Sequence, residues 1–375
     1  MAATRVHFAT NREEIASADG TVIGFGPGLN RKTPLWLRYG AADMEPGKKG
    51  ENPFRFSVLE VAPENIPTTP EASGEPVLRG SDSVFAALRE RLVASEGDLV
   101  MLLHGYACDF AQALSNAAEL KTAYGTKAVP VETAVFSWPA DGRMVPWLSY
   151  ASDRDDARSS AKAIARALRR FLDYLAALQT KAREEKLAAL REKRAPRIDL
   201  CRARIHLVAH SMGTYALRQA LQALISDHGG RRLPRVLSSI FLMAADEDND
   251  AFEHDTKLAR LAELAEAVHV YFARNDGALV ISDVSKGHPD RLGATGPRTL
   301  SGLPQKVVLV DCTDVSETGS GVKEKLVDLK HQYYRKRAEV IADVRQVLAG
   351  AAPEAVKGRV WVPERRCFRI LPARK

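Results

Sequence analysis

The sequence predicts a mostly parallel, doubly wound α/β sheet with helices on both faces and an N-terminal β-rich extension. Three observations carry that prediction. Short continuous apolar runs recur at residues 98–103, 134–138, 204–209, 236–243, 268–272 and 306–310, the pattern of strands buried on both faces. Helical patterns separate most of these runs, and strands alternating with helices build a parallel sheet. Finally, one run ends on a serine with a small residue two positions to either side, Ala209-His210-Ser211-Met212-Gly213, and a helical pattern starts immediately after it.

At 375 residues, with 45% hydrophobic and 27% charged content, the chain has the make-up of a globular protein with a large core. No stretch reaches the roughly 18 consecutive apolar residues of a membrane span. The opening residues lack the apolar core of a signal peptide. The net charge of +7 sits largely in residues 181–197 and 357–375. The first of these stretches mixes both signs, as a solvated helix face does, and no aromatic residues interleave to stack bases; nucleic acid is therefore not the expected partner. Cys108, Cys201, Cys312 and Cys367 are scattered, with no metal-binding spacing. Free thiols fit a reducing compartment, so a cytoplasmic location is expected, with neither metal nor cofactor.

Taken in order, residues 5–9, 21–24, 35–39 and 54–61 read as short strands punctuated by Gly and Pro. Residues 64–80 read as a loop. A helix at 83–93 places Val84, Leu88 and Leu92 on one face. The strand at 98–103 runs into His104-Gly105-Tyr106, followed by a helix at 110–121. The strand at 134–138 closes at Pro139. From Asp153 a long alanine-rich helix runs through Ile164, Leu168, Phe171 and Leu175 and must stop by Pro196; its apolar stripe fades after Leu178, so the last turns are expected to project. Helices are also expected at 256–267 and 331–348. Three segments follow: 1–80, β-rich and packed on or joined to the main sheet; 81–350, the α/β body; and 351–375, a basic tail.

In such a sheet, ligands bind beyond the carboxyl ends of the strands. Those ends deliver Ser211, then Asp276 in Asn275-Asp276-Gly277, and later His331. The order Ser, Asp, His is the one α/β-hydrolases use, and small-x-Ser-x-Gly is their nucleophile elbow. Here Ala209 stands at the first glycine position and Gly213 at the second. The residue types suit acyl transfer. A serine hydroxyl needs a base within reach, histidine titrates near neutrality, and a carboxylate behind the ring fixes its tautomer. Two backbone N–H donors should hold the oxyanion, assigned to Met212 and Tyr106.

The chain resembles the bacterial α/β-hydrolase family known as domain of unknown function 900, over about residues 8–348. The shared-looking features are Phe8-Ala9-Thr10-Asn11-Arg12, Tyr39-Gly40, His104-Gly105-Tyr106 and Phe136-Ser137-Trp138-Pro139. Tyr150 with Asp153, the elbow at 209–213, Asp276, and His331 with Tyr333-Tyr334 complete them. The resemblance implies a serine hydrolase fold and supplies no substrate.

Asp246, which follows the strand at 236–243, is the rival for the acid; Asp276 is preferred, and Asp246 is expected to cap its own loop. His210 and His104 read as packing and loop-ordering residues near the pocket, with Gly105 allowing close approach. His206 and His269 read as core residues, and His228, His254 and His288 as loop residues. Trp138 and Trp147 either line an acyl pocket or cover the core. Cys108 reads as a buried thiol. The expected activity is that of a serine hydrolase (carboxylesterase, lipase-like or thioesterase) on a small acyl ester. The alternatives are an acyltransferase using the same three residues, or a non-catalytic binding protein of this fold.

Overall fold

Strand alternation in the first sixty residues produces five strands: β1 (Thr4–Thr10), β2 (Arg12–Ala16), β3 (Val22–Leu29), β4 (Arg38–Pro46) and β5 (Phe54–Val61). The computed structural model describes residues 4–30, 37–48, 51–64, 78–142, 148–195, 203–279, 290–316 and 330–373. Trp147, Pro196, Cys201 and His288 lie outside the described residues, as does most of the loop expected at 64–80. The body continues with α1 (Gly80–Ser95), β6 (Asp98–Leu103), α2 (Phe110–Tyr124), β7 (Val131–Ser137), α3 (Leu148–Ser159), α4 (Ala161–Arg191), β8 (Ile205–His210) and α5 (Met212–Asp227). Then come β9 (Leu237–Met243), β10 (Ala265–Phe272), the single turn α6 (Leu292–Thr295), β11 (Val307–Asp311), α7 (Tyr333–Lys336), α8 (Ala338–Leu348), β12 (Arg359–Val362) and β13 (Cys367–Ile370).

Among the described residues, eleven strands form one sheet in the order β12-β13-β11-β10-β9-β8-β6-β7-β1-β4-β5. The run from β11 to β1 is parallel throughout, while β4, β5 and β12 are antiparallel additions at the two edges. The N-terminal strands thus join the main sheet, apart from the β2–β3 hairpin. That hairpin is pinned by Phe25, whose ring lies 4.8 Å from Phe110 and 5.8 Å from Phe8.

Each central strand is apolar on both faces because each face has its own core. In β6, Leu99 and Leu103 enter one cluster with Phe85 of α1, Ile164 and Phe171 of α4 and Leu217 of α5. Val100 and Leu102 enter the other, with Phe110 and Leu114 of α2 and Val344 of α8. Burying each such side chain stabilises the fold by about 1.5–3 kcal/mol.

The chain reverses direction across the sheet at β6, whose two neighbours are β7 and β8. This is the switch point at which open α/β sheets form their ligand crevice. Leu103 pairs with Ala209 there, so the turns leaving β6 and β8 emerge side by side.

The structure departs from the sequence expectation in several places. Residues 256–267 do not form an α-helix; they give turns, a 3₁₀ segment at Leu261–Glu263 and the start of β10. Leu258, Leu261 and Leu264 are all buried at a spacing of three, which is the 3₁₀ period. The long helix from Asp153 is two helices parted at Ser160, a buried residue whose hydroxyl accepts from Asn11 Nδ2 at 2.9 Å. The helix expected at 331–348 is divided at Arg337, whose backbone is extended, and His331 precedes it. Residues 351–375 carry β12 and β13, with β13 pairing in parallel with β11. The far end of α4 buries Ala182 and Ala189 but leaves Leu187 and Leu190 exposed.

Candidate active site

The turn leaving β8 is strained in the way an elbow requires. Ser211 has φ 54° and ψ −126°, a conformation that costs a non-glycine residue about 1–3 kcal/mol. Its amide donates to Met243 O at 2.9 Å, and its carbonyl accepts from the amides of Thr214 at 2.9 Å and Asp246 at 3.1 Å. Gly213 is compulsory, because an added Cβ would lie 2.3 Å from the Leu103 carbonyl oxygen and 2.7 Å from that of His104. Gly105 answers it from the neighbouring turn, where a Cβ would stand 3.0 Å from Ser211 Cβ and 3.2 Å from His210 Nδ1. Ala209, at the departed glycine position, is fully buried and accommodated.

Asp276 and His331, 55 residues apart, meet beyond the strand ends. His331 Nδ1 lies 2.7 Å from Asp276 Oδ2, and a carboxylate can only accept, so Nδ1 carries the proton. Nε2 is then the acceptor nitrogen of the neutral ring. Asp276 is fully buried, and its Oδ1 accepts from the amides of Ala278 at 3.1 Å and Leu279 at 3.3 Å. Its two oxygens therefore have fixed and different duties.

His210 couples this pair to the elbow. Its Nε2 donates to the His331 carbonyl at 3.2 Å, and its ring lies 4.7 Å from that of His331 and stacks on Tyr334 at 4.4 Å. Burial, with His331 nearby, pushes its pKa well below the usual histidine value, so it stays neutral and serves as packing. His104 is likewise neutral, its pKa pushed down to about 3 by burial and by Arg12. Its Nδ1 donates to Gly105 O at 3.0 Å, and its ring stacks on Trp138 at 4.9 Å. Trp138 is fully buried and donates from Nε1 to His104 O at 3.0 Å, so it covers the core and supports the turn.

Met212 is the first residue of α5, where helix amides lack intrahelical partners. Tyr106 stands in the turn after β6, its ring 5.6 Å from that of Tyr150. Asp246 is held by Tyr150 and Arg291. Its Oδ2 accepts from Tyr150 O–H at 2.5 Å, and its Oδ1 lies 3.4 Å from Arg291 Nε. It braces the back of the elbow.

Two supporting residues had no role assigned from the sequence. Asp153, fully buried in α3, accepts from the amide of Ala107 at 3.0 Å and of Asp141 at 3.2 Å. It thereby clamps the turn in which Ala107 takes φ 50°. Burial pushes its pKa up to about 6. Arg12, also fully buried, donates to Cys108 O at 2.7 Å, Ser137 Oγ at 2.8 Å, Ala140 O at 2.9 Å and Gly26 O at 3.2 Å. It ties the turns after β6 and β7 to the N-terminal hairpin. Neither carries a local signal, since Arg12 is followed by Glu13 and Glu14, and Asp153 by Arg154, Asp155 and Asp156.

Cys108, Cys312 and Cys367 are buried free thiols. Among the described residues, no group of three His, Cys, Asp or Glu side chains is placed to hold a metal ion, and no helix is long and apolar enough to cross a membrane.

No curated protein matches the chain. A family model described as an alpha/beta hydrolase of unknown function matches residues 81–187 and 180–350, the whole of the body built around this elbow. The chain belongs to that family, DUF900, and carries its α/β-hydrolase fold.

Proposed function

We propose that the protein is a serine hydrolase that cleaves a small ester or thioester through an acyl-enzyme on Ser211. The observation that carries this reading is the Asp276–His331 pair, at 2.7 Å, joined through His210 to a strained serine turn. With Nδ1 bonded to Asp276, His331 Nε2 takes the proton as Ser211 Oγ attacks the acyl carbon. The tetrahedral oxyanion is held by the amides of Met212 and Tyr106. Collapse breaks the bond to the leaving group, which takes the proton from Nε2. Water, deprotonated by the same nitrogen, attacks the acyl-serine and releases the acid, restoring Ser211. A reducing, cytoplasmic setting fits the buried free thiols.

The test is turnover of short p-nitrophenyl esters. Ser211→Ala should abolish it while the unfolding temperature stays within a few degrees of the parent. Equal turnover by the variant would remove Ser211 from the reaction.

A further inference from the structure

We propose that Asn275 is a positioning residue: clamped by Thr313 and Ser316, its side chain fixes the neighbouring Asp276 against His331. This inference rests on the reading of Asp276 as the carboxylate that orients the histidine. Among the described residues, the other hydrogen bonds of Asp276 are local. Its amide donates to Ala273 O at 3.2 Å, and its Oδ1 accepts from the amides of Ala278 and Leu279. These bonds set the carboxylate within residues 273–279 and leave open what holds that loop to the sheet. Further back, the Ala273 amide donates to Gly293 O at 2.9 Å, which anchors the start of the loop three residues before its acid.

The ties nearest the acid run through the turn after β11. Asp311 ends that strand, pairs in register with Phe272 of β10 and is buried. Its Oδ1 accepts from the amide of Thr313 at 2.9 Å and from the hydroxyl of Thr313 at 2.5 Å. With its proton given to that carboxylate, Thr313 Oγ1 is free to accept from the Arg274 amide at 3.1 Å. Asn275 then uses both ends of its side-chain amide. Its Nδ2 donates to Thr313 O at 3.1 Å, and its Oδ1 accepts from Oγ of the fully buried Ser316 at 2.7 Å. That orientation is dictated, because a backbone carbonyl can only accept and so must face the NH₂ group. The residue next to the acid is thereby bonded twice to a turn that a buried carboxylate of the sheet holds in place.

Placement matters here because the 2.7 Å bond from His331 Nδ1 to Asp276 fixes the tautomer, and a shift of about 1 Å in a catalytic group can cost about 10²-fold in rate. The clamp can be removed without stranding Ser316. Its Oγ also lies 3.2 Å from Thr313 O, so in the absence of Asn275 the hydroxyl proton turns to that carbonyl. The loop then loses its tether while the buried hydroxyl keeps a partner. Asn275→Asp breaks the clamp differently: it keeps an acceptor for Ser316 and sets a carboxylate oxygen against Thr313 O, two acceptors face to face.

The test compares the full chain with its Asn275→Ala and Asn275→Asp variants by turnover of p-nitrophenyl acetate and by ¹⁵N NMR of the His331 ring. The NMR is done at a pH high enough that the ring is neutral, where it reads which nitrogen carries the proton. In both variants kcat should fall about 10–100-fold with KM unchanged. The parent should hold its proton on Nδ1, and the variants should show a mixture with the proton on Nε2. A residue that merely stabilises the fold would lower the unfolding temperature and leave kcat and the ring proton of the folded protein as in the parent; that result overturns the proposal. A rise in KM with kcat unchanged would overturn it as well. If Asn275→Ala does not fold, the nearly isosteric Asn275→Asp decides alone. The ring measurement needs no turnover, so the two readings fail separately. A parent that hydrolyses no ester removes the proposed activity, whereas an unmoved ring proton in the folded variants removes the role of Asn275.

Discussion

Replacing Asp276 by Asn is a change whose consequence can be worked out atom by atom. Asp276 Oδ1 already accepts two backbone amides, from Ala278 and Leu279. The carbonyl oxygen of an asparagine must therefore face them, because its NH₂ group would meet two donors. That leaves the NH₂ where Oδ2 now stands, 2.7 Å from His331 Nδ1. Nδ1 must then become the acceptor, and the ring proton moves to Nε2. A ring protonated at Nε2 has no lone pair for the Ser211 proton. Loss of the correct tautomer in a Ser-His-Asp system lowers kcat about 10⁴-fold, equivalent to about 5.5 kcal/mol of barrier. The substitution keeps shape and volume, so KM and the unfolding temperature should move little. Asp246→Asn is the matched control. Its carbonyl can still accept from Tyr150, and its other oxygen lies beside Arg291, so kcat should fall far less. Steady-state ester turnover together with thermal unfolding reads both variants. If Asp276→Asn keeps kcat within about tenfold of the parent, or if Asp246→Asn is the more damaging of the two, the tautomer argument is wrong.

Further substitutions test the frame around the site. Gly213→Ala drives a methyl group against two backbone carbonyls that cannot rotate away, so stability should fall by at least the ~1–3 kcal/mol of ordinary overpacking. Denaturant unfolding measures this, with loss of ester turnover alongside. Asp156 has its pKa raised from 3.8 to about 6 by burial and by the neighbouring Asp155 and Asp141. Because the folded-state value is raised, its contribution to stability is fully present below the ordinary carboxylate range and is lost as pH rises through about 6. Asp156→Asn should therefore stabilise the protein at pH 8, by about 1 kcal/mol after solvent screening, and have little effect near pH 3.5. Unfolding across that pH range checks the sign. Leu187→Glu with Leu190→Glu should leave stability within about 0.5 kcal/mol and turnover unchanged, as both side chains are exposed.

The parts of the fold legible in the sequence were those with a single physical explanation. A continuous apolar run of six residues such as 98–103 is too short for a buried helix and fits a strand covered on both faces, and Ser211 with Ala209 and Gly213 two residues to either side fits a tight turn. The approach of Asp276 to His331 was readable as an order along the chain, because parallel strands deliver their ends to one side. Where two explanations fit, the sequence was silent. Leu258, Leu261 and Leu264 suit a helix or a 3₁₀ turn equally. Ser160 looks like any polar residue on a helix until Asn11 is seen to hold it.

The C-terminal strands were obscured by their arginines. Arg359 looks like part of a solvated basic tail, yet its guanidinium pairs with the buried Asp343, 2.7 Å from Oδ1, which also accepts from Tyr271 O–H at 2.5 Å. A charge whose partner lies elsewhere in the fold cannot be told from a solvated one by local composition. The same holds for Arg12 and Asp153. Most of their partners are backbone groups of turns that only the folded sheet brings together.

The central claim is that Ser211 is an activated nucleophile, and reaction of the native protein with a fluorophosphonate tests it most directly. Intact mass should show one adduct per chain, and digestion should place it on the peptide containing Ser211. The adduct should be absent from Ser211→Ala and form far more slowly in Asp276→Asn. A folded parent that stays unlabelled, or an adduct mapped to another residue, would contradict the account.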